Sequence, residues 1–141
     1  MKKIKILSTT LTSLLAISCT YAEGMCNTRE TVIFNCELQK SISSLCESED
    51  TGVLSYRNGS AKKINLEVSD NAPLKGKIFY FSNTPYAGGG EAHIRFSRND
   101  YTYYIYDKTI KTDDGPTFSA GIAVFKDQRK ISDLGRVNTT I

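Results

Sequence analysis

Apolar and polar residues alternate in short runs along most of this chain, and turn-forming residues punctuate the runs. Such alternation marks a strand with one face buried, because successive side chains point to opposite sides of a sheet. No stretch of helical length sustains a helical period. Residues 31–36 read as a strand, with residues 43–48 as its hairpin partner. Residues 53–56 form the next run. Arg57-Asn58-Gly59-Ser60 follows as a predicted hairpin turn, since Asn-Gly tolerates the positive φ of a type I′ turn. Residues 63–68 alternate again, and 69–73 break the pattern. A strand at 77–81 precedes a predicted loop at 82–90, which holds Pro85 and Gly88-Gly89-Gly90. Residues 91–96 and 101–106 make two more strands, 108–117 a polar loop, and 120–125 and 130–134 the last strands. This spacing predicts an all-β fold, a small antiparallel sandwich or barrel built of consecutive hairpins.

The first 22 residues follow a different pattern, that of an export signal. Lys2, Lys3 and Lys5 form a positive start. Residues 6–17 are mainly apolar, diluted by Ser and Thr, and Thr20 and Ala22 supply small residues at −3 and −1. The segment is too short and hydroxyl-rich for a membrane-spanning helix. The expected organisation is a cleaved signal peptide at 1–22 and a single β-rich domain at 23–141, and the Met-Lys-Lys-Ile start looks bacterial. The expected location is periplasmic. The alternatives are a secreted protein or a lipoprotein: Leu15-Ala16-Ile17-Ser18-Cys19 resembles a lipobox, and only lipidation of Cys19 would tie the domain to a membrane.

The leader also corrects the charge. The chain carries 18 basic and 15 acidic residues, and without the three leader lysines the balance is 15 against 15. The global electrostatic case for nucleic-acid binding disappears with them.

Cleavage would leave Cys26, Cys36 and Cys46, in a compartment that permits disulfides. A turn centred on Lys40-Ser41 would set Cys36 opposite Cys46, within disulfide reach. Cys26 with Cys46 is the alternative pairing. The thiol left over would allow a disulfide-linked homodimer. Zinc is not expected, because three thiols at ten-residue spacing match no usual finger. A catalytic cysteine would need a base, and the one histidine, His93, is distant in sequence.

The 91–106 hairpin carries the candidate binding residues. If residues 97–100 form its loop, Phe96 faces Tyr101, Ile94 faces Tyr103 and Ala92 faces Ile105, all inward. The outward pairs are then Arg95 with Thr102, His93 with Tyr104 and Glu91 with Tyr106. Glu91, His93, Arg95, Tyr104 and Tyr106, together with Tyr86, are the expected partner-binding residues, since tyrosine and arginine are enriched at interface hot spots. The bland alternative is a solvated sheet face held by cross-strand pairs. The glycine run is not a phosphate loop, which needs Gly-Lys-Ser/Thr and a following helix. It predicts a sharp bend or close backbone approach at a strand start. No Ser-His-Asp or Cys-His pattern is readable, and Glu49-Asp50 and Asp113-Asp114 fall in predicted loops. Separated carboxylates converging in space are the remaining route to glycosidase chemistry. No cofactor is expected.

The stretches Glu30-Thr31-Val32-Ile33-Phe34-Asn35-Cys36, Ser44-Leu45-Cys46, Leu54-Ser55-Tyr56-Arg57-Asn58-Gly59, Tyr86-Ala87-Gly88-Gly89-Gly90-Glu91, Ile94-Arg95-Phe96 and Tyr101 to Tyr106 resemble a family of small exported bacterial proteins. The glycine run leading into Ile-Arg-Phe and the tyrosine-rich strand are its most specific parts. The resemblance implies fold more than function. Members of that family end with a cysteine after an apolar strand, whereas this chain ends Val137-Asn138-Thr139-Thr140-Ile141.

The functional expectation is an exported, non-enzymatic binding protein. Its narrow form is an inhibitor or immunity protein that neutralises a cell-envelope-targeting toxin or lysozyme-like hydrolase. The alternative is an envelope structural or small-ligand-binding module.

Overall fold

A computed structural model describes residues 24–70 and 77–139. The leader at 1–22 lies outside these residues. Two antiparallel sheets form a small β-sandwich, not closed into a barrel. The first sheet is the meander β1 (Glu30–Glu37), β2 (Ile42–Ser48), β3 (Leu54–Ser60) and β4 (Lys63–Ser69). The second is the meander β5 (Tyr80–Tyr86), β6 (Gly89–Arg98), β7 (Tyr101–Thr112), β8 (Gly115–Lys126) and β9 (Arg129–Thr139).

The core lies where the inward positions of the two sheets meet. In the first sheet Phe34, Leu45, Tyr56 and Val68 form one cross-strand row. In the second, Phe96, Tyr103 and Val124 form one row and Ile94, Ile105 and Ile122 the next. The Tyr56 ring sits 4.7 Å from Phe96, which stacks on Tyr103 at 4.9 Å and meets Phe79 at 5.3 Å. Each buried ring contributes about 1.5–3 kcal/mol by leaving water. The Tyr56 hydroxyl shares a hydrogen bond with Ser43 Oγ (3.2 Å), and the Asn58 amide donates to that same Ser43 oxygen (2.6 Å). Burial pushes the Tyr56 phenol up to about 12.

The outer face of the first sheet is covered by the chain that precedes β1. Cys26 is disulfide-bonded to Cys46, Met25 N donates to Ser44 Oγ (2.9 Å), and Arg57 donates to the Met25 carbonyl (3.2 Å) and to both Glu30 oxygens (2.6 and 2.9 Å). This strap explains why Ser44, Cys46 and Arg57, all on an outward face, are buried. The disulfide points to an oxidising, non-cytoplasmic compartment. No helix among the described residues is long and apolar enough to cross a membrane.

Several sequence expectations need correction. The disulfide is Cys26–Cys46, not Cys36–Cys46. Cys36 stands opposite Ser43, on the same face as Phe34, whereas Cys46 points outward from the next strand. The β1–β2 turn lies nearer Gln39-Lys40 than Lys40-Ser41, and a bulge at Ile33 shifts the register again. Asn58-Gly59 is not a turn. It lies inside β3, and the turn is Ala61-Lys62. The predicted loop at 82–90 is mostly strand, because Pro85 sits on the edge strand β5, where no ladder N–H is required of it. Strand 77–81 starts later, at Tyr80. The predicted loop at 108–117 is a tight turn at Asp113-Asp114 between two long strands, relieved by Gly115 at φ 116°. The glycine run acts as a bend and a close approach: Gly88 has φ 86°, and a Cβ on Gly89 would overlap the Thr109 carbonyl.

Candidate functional site

The outward positions of β6–β9 form a grid. Glu91, Lys108 and Ser119 make one row, His93, Tyr106, Gly121 and Gly135 the next, and Arg95, Tyr104, Ala123 and Asp133 the third. The faces of the 91–106 hairpin are those the alternation predicts, but its pairs are not. The loop is Asn99-Asp100 alone, so Phe96 faces Tyr103 and Ile94 faces Ile105. Outward, Arg95 faces Tyr104, His93 faces Tyr106 and Glu91 faces Lys108. Asn99 takes up the turn at φ 53°, a left-handed conformation that asparagine tolerates. The register moves by two residues, and side chains keep their face under a shift of two.

On β8 the outward residues Ser119, Gly121 and Ala123 are small, which leaves a trough between the larger side chains on either side. The result is an open hollow of about 440 Å³. Glu91, His93, Tyr104 and Tyr106 line it, together with Lys108, Phe125, Lys130 and Asp133. Arg95 and Tyr86 lie outside. The Arg95 guanidinium sits 5.0 Å over the Tyr80 ring, and the Tyr86 hydroxyl donates to the Gly90 carbonyl (3.3 Å).

Two charged groups flank the hollow. His93 Nε2 donates to Glu91 Oε1 (2.9 Å), and Lys108 Nζ lies 3.7 Å from Glu91 Oε2. On the β9 side the Tyr106 hydroxyl donates to Asp133 Oδ1 (3.0 Å), and Lys130 Nζ donates to Asp133 Oδ2 (2.9 Å). The Lys130 bond, assisted by Tyr106 and opposed by burial, holds the Asp133 carboxyl below its ordinary value. Burial and the Asp133 charge push the Tyr106 phenol up to about 12, so it remains a protonated donor at neutral pH. Between the two groups Tyr104 meets Phe125 edge-on at 5.3 Å and His93 at 6.1 Å.

Sequence reasoning missed Lys108, Phe125, Lys130 and Asp133, because the site needs β8 and β9 beside the hairpin. A signal was present in Ser119-Ala120-Gly121-Ile122-Ala123-Val124. Its outward positions Ser119, Gly121 and Ala123 are all small, while Ile122 and Val124 face inward, the pattern of a strand flooring a depression.

One group of three potential metal ligands lies together among the described residues, Cys26, Glu30 and Cys46. Its sulfurs are joined in the disulfide and both carboxylate oxygens bind Arg57, so the group has no vacant ligand. Set against protein-family models, curated proteins and solved structures, the chain matches none of them.

Proposed function

We propose that this chain is an exported binding protein without a reaction of its own, and that it binds through the outer face of its five-stranded sheet. One observation carries the reading: Glu91, His93, Tyr104 and Tyr106 converge with residues of two further strands on one hollow of about 440 Å³. That volume falls within the ordinary range for ligand sites, about 300–1,000 Å³. The lining side chains stand on paired strands, which hold them more rigidly than loops would. Both carboxylates bind cationic or donating groups, whereas glycoside cleavage needs one carboxyl kept protonated. The arrangement suits holding a ligand, not cutting one. Residues 1–22 and the disulfide support export, with the periplasm as the proposed compartment.

The occupant proposed from the sequence is a protein, a cell-envelope-targeting toxin or lysozyme-like hydrolase, which would make this an inhibitor or immunity protein. Affinity capture with mature, correctly processed protein tests it, using lysozymes and neighbouring-gene products as prey. A stoichiometric complex abolished by Tyr104→Ala or Arg95→Ala is expected, and unchanged binding in both variants removes this face from the reading. A small-ligand-binding module is the second reading, favoured because the face is hollowed instead of flat.

A further inference from the structure

We infer that the hollow is a saccharide site that takes a neutral glycan, with one pyranose ring stacked on Tyr106. The inference rests on the outer sheet face being the binding face.

The position of Tyr106 is the first support. It starts on β7 and its hydroxyl reaches Asp133 on β9. Neighbouring strands are about 4.8 Å apart, so Asp133 is about 10 Å away across β8. A tyrosine that bridges that gap lies along the sheet instead of standing out from it. Gly121 and Gly135 make this possible: a Cβ on Gly135 would overlap the Tyr106 hydroxyl, and one on Gly121 would come within 2.9 Å of it. The ring thus becomes a flat floor, and Tyr104, Phe125 and His93 form an edge-to-face aromatic wall beside it. A pyranose has a C–H face that packs on such a ring, with its hydroxyls directed to the rim.

The charge pattern is the second support. Glu91 lies between His93 and Lys108, and Asp133 between Tyr106 and Lys130. Each carboxylate is neutralised locally, so the hollow offers an ion little net attraction. Hydrogen-bonding capacity remains, since a carboxylate has about four acceptor sites and an ammonium three donors. Uncharged hydroxyl groups can use that spare capacity without breaking an ion pair, whereas a charged ligand would have to break one.

The test is an amide NMR titration of the mature protein with chitotetraose, cellotetraose and, as the acidic control, an oligogalacturonate. At least one neutral glycan is expected to give saturable shifts at Tyr106, Gly121, Ala123 and Asp133, and the acidic one none. Gly135→Ala is the discriminating variant. Apart from the tip of Tyr106, its added Cβ meets nothing closer than the Ala120 carbonyl at 3.5 Å, so the fold is retained while the ring is lifted. Binding should weaken about tenfold or more, the scale of a lost aromatic stacking contact. Tyr106→Phe, which keeps the ring, should retain most of it, and Tyr106→Ala should lose it. The proposal is overturned by silence with both neutral glycans, by preference for the acidic one, or by parent-like binding in Gly135→Ala or Tyr106→Ala. If glycans are silent while a lysozyme shifts the same amides, the binding face stands and the saccharide falls. If neither shifts them, both fall.

Discussion

Arg57 and Glu30, 27 residues apart, meet through two hydrogen bonds of 2.6 and 2.9 Å on the outer face of the four-stranded sheet. The side chains are 9% and 12% exposed, far from the fully solvated pairs whose contribution is small. The pair ties the start of β1 to β3 across β2, Arg57 holds the strap through the Met25 carbonyl, and Glu67 takes the Arg57 Nε–H at 2.8 Å. Arg57→Ala leaves the Glu30 charge buried without its cation, and a cost of about 3–5 kcal/mol is expected. Glu30→Ala should cost less, because Arg57 keeps Glu67 and the Met25 carbonyl. Urea unfolding of the two single variants and the double variant checks this. The double should cost less than the sum, and strict additivity would mean that the pair is not coupled.

The same pair sets an acid limit on stability. Its hydrogen bond from Arg57, opposed by burial and aided by Asn27, holds the Glu30 carboxyl below its ordinary 4.5. A carboxyl with a folded pKa below its unfolded one binds fewer protons when folded. It therefore adds stability that is complete above pH 4.5 and fades as pH falls through the folded value. Asp133 acts in the same direction from 3.8. The urea midpoint should decline below that range, and Glu30→Gln should flatten the decline. Parallel acid limbs in the two proteins would assign the loss to other groups.

Closure of the Cys26–Cys46 bond, across a sequence separation of 20, should stabilise the domain by about 3 kcal/mol through the unfolded chain. Reduction, or Cys26→Ser, should lower stability by that amount. Peptide mapping under non-reducing conditions should find residues 26 and 46 linked, in Cys36→Ala as in the parent. A Cys36-containing disulfide in the parent would overturn the assignment.

The all-β class and the faces of most strands were legible because alternation survives any even register shift. The pairs across the 91–106 hairpin were not, because Asn99-Asp100 closes a tighter turn than residues 97–100 would. Turn residues misled in three places. Pro85 and Asp113-Asp114 lie at an edge and in a tight turn that long strands accommodate, and Asn58-Gly59 serves packing inside a strand. The disulfide depended on which way Cys36 and Cys46 face, and the bulge at Ile33 that helps set their register has no signature in composition. Half of the hollow was out of reach for a different reason. Tyr106 and Asp133 are neighbours only once three strands are paired.

Gly59 and Gly90 separate a glycine the fold requires from one it tolerates. At Gly59 the β3–β4 register slips, with Asn58 opposite Leu66 and Gly59 opposite Ile64. A Cβ there would overlap the Lys63 carbonyl and lie 2.9 Å from Ile64 Cα, all backbone that cannot rotate away. Gly90 would place its Cβ no closer than 3.7 Å to the Thr84 carbonyl, an ordinary contact. Gly59→Ala should therefore cost about 1–3 kcal/mol, as overpacking does. Gly90→Ala should stay within about 0.5 kcal/mol of the parent. Thermal and urea unfolding of the two variants side by side measure the difference. Equal effects would mean that β3 and β4 are not paired through this bulge.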